Sequence, residues 1–160
     1  HGDFNTWETT PSGFIGGMPL AMVVGRGEQT IVDAARLTPL PEDRVTLVDG
    51  RDLDPGEDTA IERSGIGVLS VVEVSEATLP PGPLYLHIDG DVVDPDDMPA
   101  MNYPAPGGPS LAEVAAAVER TAATGRVAAF SVSSWNPQLP GADRASAATT
   151  VLASPFIGND

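Results

Sequence analysis

The sequence contains no cysteine, which excludes disulfides and thiolate-held metals, so any bound metal must take oxygen and imidazole ligands. It is also short of positive charge. Eight basic residues stand against 23 acidic ones, for a net charge of −15. That balance argues against nucleic acid and anionic membrane surfaces as partners, and favours cationic ligands, metal ions above all. For most of the acids a solubilising surface remains the simpler explanation. No apolar run approaches the about 20 residues that span a bilayer, and no basic, apolar leader opens the chain, so the expected location is the cytoplasm. Low-complexity linkers and internal repeats are missing too.

What is present is a chain of 160 residues, 41% hydrophobic, enough for one domain with a substantial core. Its 17 Gly and 16 Pro are dispersed as turns between apolar runs. Five runs read as strands: residues 20–25 (LAMVVG), 44–48 (RVTLV), 67–74 (GVLSVVEV), 84–89 (LYLHID) and 126–133 (RVAAFSVS). Several are almost continuously apolar, as strands buried on both faces are. Ser110 with Glu113 forms a capping box before an alanine-rich helix that Gly125 closes. Its expected apolar stripe is Leu111, Val114 and Val118. Further helices are expected over residues 58–64 and 143–152. Alternating strands and helices predict an α/β fold with a mainly parallel sheet, whose site lies at the carboxyl ends of the strands.

The segment HIDGDVVDP at residues 87–95 ends a strand in Asp89, Asp91 and Asp94, with no lysine or arginine between Arg63 and Arg120. In extended backbone Asp89 and Asp91 point to the same face. Two carboxylates so placed repel unless a cation lies between them. The readings are a metal site or an ordinary acidic loop, with Asp94 as a turn residue before Pro95. At the start of the chain, HGDFNT offers His1 and Asp3 at the same spacing, a donor pair suited to Mn2+, Fe2+ or Zn2+. Taken alone, this is equally a frayed end.

Together, six segments resemble the arginase/agmatinase (ureohydrolase) family in order and spacing. HGDFNT (1–6) matches DAHxDxNT, and SGFIGGMP (12–19) matches SGxxHGxP. RDLDPGE (51–57) matches RDxDPGE, and HIDGDVVDP (87–95) matches SxDxDxxDP. PAPGG (104–108) stands at the Gly-Gly turn, and SSWNP (133–137) at ExNP. The resemblance covers essentially the whole chain. It implies a three-layer α/β/α fold with two Mn2+ ions at the carboxyl edge of a mainly parallel sheet. A bridging hydroxide would attack the guanidinium carbon of a guanidino or amidino substrate. It also implies His1, Asp3, Asp89 and Asp91 as metal ligands, with Asp3 as the proton relay. Asn5 and Ser12 would hold a substrate α-carboxylate, and Asp54 and Glu57 would reach its α-amino group. Family members form trimers or hexamers, so a homo-oligomer is expected.

The departures from the family pattern matter as much. Gly16 stands where the family has a catalytic His, Ser134 where it has the guanidinium-binding Glu, and Tyr103 where it has Thr. These positions surround the reacting end of the substrate, so efficient arginase activity is not expected. His87 replaces the usual Ser and shares a strand face with Asp89 and Asp91, as a replacement ligand, a support for the ligands, or a plain buried histidine. Two of the family's ligands would precede residue 1. The expectation is therefore a single ureohydrolase-like domain over residues 1–160, lacking the first strands of the sheet and incomplete at its N-terminus. Two functional readings follow: a binuclear manganese amidinohydrolase cleaving a C–N bond of an amino-acid-like substrate, or a catalytically degenerate subunit with a regulatory or interaction role.

Overall fold

The computed structural model describes residues 1–157, and the chain divides into two compact units, His1–Val68 and Leu69–Asp160. The first contains helices α1 (Pro19–Val23), α2 (Thr30–Ala34) and α3 (Glu57–Glu62), and strand β1 (Thr46–Val48), which pairs with β2 (Gly67–Leu69). Its core gathers Phe4, Ala21, Ile61 and Ile66, flanked by Leu20, Val45, Leu47 and Leu53. The Arg26 guanidinium lies 4.8 Å above the Phe4 ring and its Nε donates to Glu42 Oε1 at 2.6 Å. This cation over an aromatic face closes one side of that core.

Residues 20–25 were expected as a strand, and the structure corrects this: they enter α1 and its cap. Pro19 occupies the first helical turn, where its fixed φ suits a helix and its missing N–H costs nothing. The carbonyl of Asp3 accepts the amides of Leu20 and Ala21 at 2.9 and 3.3 Å, satisfying donors that the short helix leaves open. Nearby, Glu28 accepts the Thr30 amide at 2.7 Å and Trp7 Nε1 at 2.8 Å. Hydrogen bonds from Thr30, then from Trp7, hold its carboxyl down at about 2. A depressed carboxylate adds stability above its ordinary value near 4.5 and loses it as pH falls towards 2. Trp7 fluorescence, followed in a Trp135→Phe background, should therefore titrate near pH 2. A midpoint near 4.5 would show that the Trp7–Glu28 bond does not form.

In the second unit, β3 (Leu84–Asp89) and β4 (Val127–Ser133) form a parallel pair, with Leu86 opposite Phe130, His87 opposite Ser131, Ile88 opposite Val132 and Asp89 opposite Ser133. Helix α4 (Leu111–Ala123) carries the expected capping box, with Ser110 Oγ accepting the Glu113 amide and Glu113 returning to the Ser110 amide. It buries Val114, Ala117, Val118 and Thr121 and packs on α5 (Ala142–Ala153). Leu111 stays half-buried at its start, where its amide donates to Asp97 Oδ2 at 2.9 Å.

Two strand expectations change here. The run 67–74 stops being a strand after Leu69, because Ser70 and Glu73 form a second capping box and turn Val71–Glu73 into a 3-10 helix. Arg120 locks this turn, donating to the carbonyls of Val71 and Val74 at 2.6 and 2.8 Å. And β3 is not buried on both faces. Ile88 is buried while Tyr85 and His87 are exposed, so the pair has one apolar and one polar face.

The turn after β3 is held by packing. A Cβ on Gly90 would lie 2.7 Å from Met101 Cε, 3.0 Å from Met98 Cε and 3.0 Å from the Ser133 carbonyl oxygen. Gly90→Ala should cost about 1–3 kcal/mol, the usual range for overpacking a tight site. Thermal unfolding reads this out, and an unchanged Tm would mean that the turn is free to move.

Candidate metal centre and substrate loops

At the start of the first unit the chain runs through a tight, polar-bonded loop. A Cβ on Gly2 would lie 2.7 Å from Glu57 Oε1 and 2.8 Å from Leu53 Cδ2, so only glycine fits. Asp3 then adopts φ +53°, a left-handed conformation that Asp tolerates better than most residues. His1 Nε2 lies 3.3 Å from Asp52 Oδ2, a carboxylate partner of the kind that orients metal-binding imidazoles.

Glu57 organises this loop. It is buried, at 3% exposure; Oε1 accepts the Phe4 amide at 2.7 Å and Oε2 the Asp54 amide at 3.0 Å. The family resemblance implies Glu57 in reach of a substrate amino group, but both of its oxygens are committed to backbone. Glu57 thus ties together the segments around Phe4 and Asp54. Those segments carry Asn5, also buried, whose Nδ2 donates to Asp54 Oδ2 at 2.8 Å and whose Oδ1 accepts from Thr9 Oγ1 at 2.9 Å. Ser12 is on an exposed turn, accepting the Phe14 amide at 3.2 Å. Gly16 sits under Phe14, whose ring would come within 2.3 Å of an added Cβ.

In the second unit, Asp89 ends β3 and precedes the 3-10 turn Gly90–Val92, in which Asp91 is buried at 6% exposure. Asp89 Oδ1 is buried and has no hydrogen-bond partner. Such an oxygen, stripped of water and given no donor, costs free energy that a cation would offset. The carboxylates here, and separately the imidazole and carboxylate of residues 1–3 in the first unit, are donor types that suit a Mn2+-type ion. Among the described residues, however, no group of three or more His, Asp or Glu side chains is gathered tightly enough to hold a metal. Asp94 has a structural task, as expected: its Oδ1 accepts the Asp96 amide at 2.8 Å. Ser134 follows β4 in a left-handed conformation, φ +79°, with its hydroxyl 3.2 Å from that of Ser133.

A profile described as the Arginase family matches residues 1–158. The chain belongs to the arginase family. It is 32% identical to the arginase of Bacillus subtilis over 171 aligned positions, covering 99% of this chain and 58% of that protein. It is 37% identical to the N(omega)-hydroxy-L-arginine amidinohydrolase of Streptomyces lavendulae, over 74% of this chain and 43% of that protein. The crystal structure of Bacillus subtilis arginase matches it with a TM-score of 0.89 at 31% identity, over 100% of this chain and 60% of that one. The arginase-like α/β fold expected from the sequence is thus found. The chain spans about 60% of the length of such relatives. No helix among the described residues is long and apolar enough to cross a membrane.

Sequence reasoning missed two features of this arginase-family chain. One is the doubly bonded Glu57. The other is a polar row on β3 and β4 made of Tyr85, His87, Ser131 and Ser133. Its signal was the alternation of polar residues at 85, 87 and 89 and at 131 and 133. Glu57→Ala leaves two backbone amides without acceptors and should cost about 3 kcal/mol, lowering Tm by about 6–12 °C. A shift under about 1 °C would show that water replaces the carboxylate without loss.

Proposed function

We propose that this chain carries the metal-binding aspartates and the amino-acid-binding loop of a binuclear manganese hydrolase that cleaves a C–N bond of a guanidino or amidino compound. The observation that carries the reading is the buried, partnerless Asp89 Oδ1 at the carboxyl end of a parallel strand, in an arginase-family chain. His1, Asp3, Asp89 and Asp91 are the proposed ligands. Bound there, manganese would make a water acidic enough to attack at neutral pH. Asp3 would take up the proton at its carboxylate and return it to the departing amine. Its main chain is fixed for this by the two helix amides on its carbonyl. Asn5, steadied by Asp54 and Thr9, would grip a substrate α-carboxylate together with Ser12. Asp54 would receive the α-amino group.

The reacting end of the substrate meets a different chemistry from that of an arginase. Ser134, exposed in this chain, offers a neutral hydroxyl in place of a carboxylate, and where such a pair is desolvated, losing the charged partner of a guanidinium costs about 2–5 kcal/mol. That corresponds to about 30-fold to several-thousand-fold weaker use of arginine. The same residues favour the second reading, a catalytically degenerate subunit. At Gly16 a reinstated His would also have to displace the Phe14 ring.

Elemental mass spectrometry on protein purified in Mn2+ tests the proposal, beside an Asp89→Ala/Asp91→Ala variant. About two metals per chain in the parent and far fewer in the variant, with weak urea release from arginine, are expected. Near-zero metal in both would reject the hydrolase reading in favour of the degenerate subunit. Urea release at the efficiency of the Bacillus relatives would refute the argument from Ser134. Converting Gly16→His and Ser134→Glu together, with Phe14→Ala to clear the ring, should raise guanidinium hydrolysis above the parent.

A further inference from the structure

One face of the β3–β4 pair carries a continuous row of polar groups. Tyr85 Oη lies 2.7 Å from Ser131 Oγ, which lies 2.7 Å from His87 Nδ1. His87 Nε2 lies 3.4 Å from Ser133 Oγ, too long for a firm hydrogen bond. The register gives the row a direction. Ser131 stands opposite His87, and Ser133 stands opposite Asp89. The ring is therefore anchored at its own level through Nδ1 and extends through Nε2 towards the carboxyl end of the strand. There Asp89, on the same face two residues on, holds a buried oxygen with no donor.

A histidine that binds a metal is almost always oriented by a hydrogen bond through its other ring nitrogen. Ser131, itself backed by Tyr85, supplies that bond here. We propose that His87 Nε2 is a nitrogen ligand to the divalent transition metal held by Asp89. The proposal rests on the manganese reading above and adds to it an imidazole that the family motif does not contain. Ligation requires the tautomer in which Nδ1–H donates to Ser131 Oγ and the Ser131 hydroxyl donates on to Tyr85 Oη. It also biases the site towards ions that accept nitrogen, such as Mn2+ and Zn2+, over Ca2+ and Mg2+.

The chain has two histidines, His1 and His87, which makes the assignment clean. The full chain is stripped with chelator and loaded with Mn2+, and pulsed electron paramagnetic resonance then records coupling from ligating nitrogen. Equilibrium dialysis gives the affinity. The expected result is an imidazole 14N signal that survives His1→Ala and disappears when His87→Ala is added. His87→Ala alone should weaken Mn2+ binding at least about tenfold, and Ser131→Ala, which keeps the ring but removes its anchor, about tenfold. His87 is exposed, so these variants should keep the parent circular dichroism spectrum. Bound Mn2+ without a nitrogen signal in His1→Ala would overturn the role of His87 while leaving the manganese reading in place. A parent chain that binds no Mn2+ at all would overturn both.

Discussion

A carboxylate oxygen buried without a donor is the constraint on which the second unit turns. Asp89 Oδ1 has lost its water and gained nothing in return, in a chain with a net charge of −15. It cannot relax easily. The next residue, Gly90, is wedged against Met98, Met101 and the Ser133 carbonyl, with Met98 fully buried. The parallel register with β4 fixes the strand that leads to it. The molecule therefore keeps an unsatisfied carboxylate oxygen beside a tightly packed turn, an arrangement that a cation would stabilise. Nearby acids that serve structure look different: Asp94 and Asp97 each accept a backbone amide.

The first unit solves a related problem by the opposite means. Glu57 is as deeply buried as any acid among the described residues, yet both of its oxygens are satisfied by main-chain amides. Because those amides belong to Phe4 and Asp54, one side chain joins the loop after His1 to the loop before α3. The Asn5–Asp54 bond and the capping of α1 by the Asp3 carbonyl involve residues beside that junction. Asn5 is held in turn by side-chain bonds to Asp54 and Thr9, so the loop is fixed by both backbone and side-chain contacts.

Much of this was legible in the sequence, for reasons that differ by element. Strand β3 was read to the residue, since its turn-rich flanks leave no other boundary. Helix α4 was legible from its caps, Ser110 with Glu113 at one end and Gly125, at φ +66°, at the other. The same Ser-x-x-Glu signature at Ser70 and Glu73 went unread inside an apolar run, where it ends β2 early. Residues 20–25 misled because apolar content outweighed Pro19, whose place at the first helical turn settles the matter. Helix α2, five residues long, is too short to show a period. At the site, the aspartates stood out by charge alone. The partners of His87 did not, because they come from a strand more than 40 residues away and only the register brings them together.

The most direct test of the central claim is the Tm of the parent and of Asp89→Asn, each with chelator and with excess Mn2+. A ligand that binds the folded state raises stability in proportion to the logarithm of its concentration. If the Asp89 carboxylate is held for a cation, Asp89→Asn in chelator should be at least as stable as the parent. Mn2+ should then raise the Tm of the parent and leave that of the variant unchanged. A parent indifferent to Mn2+, with Asp89→Asn less stable than it in chelator, would show that this carboxylate serves the fold and not a metal.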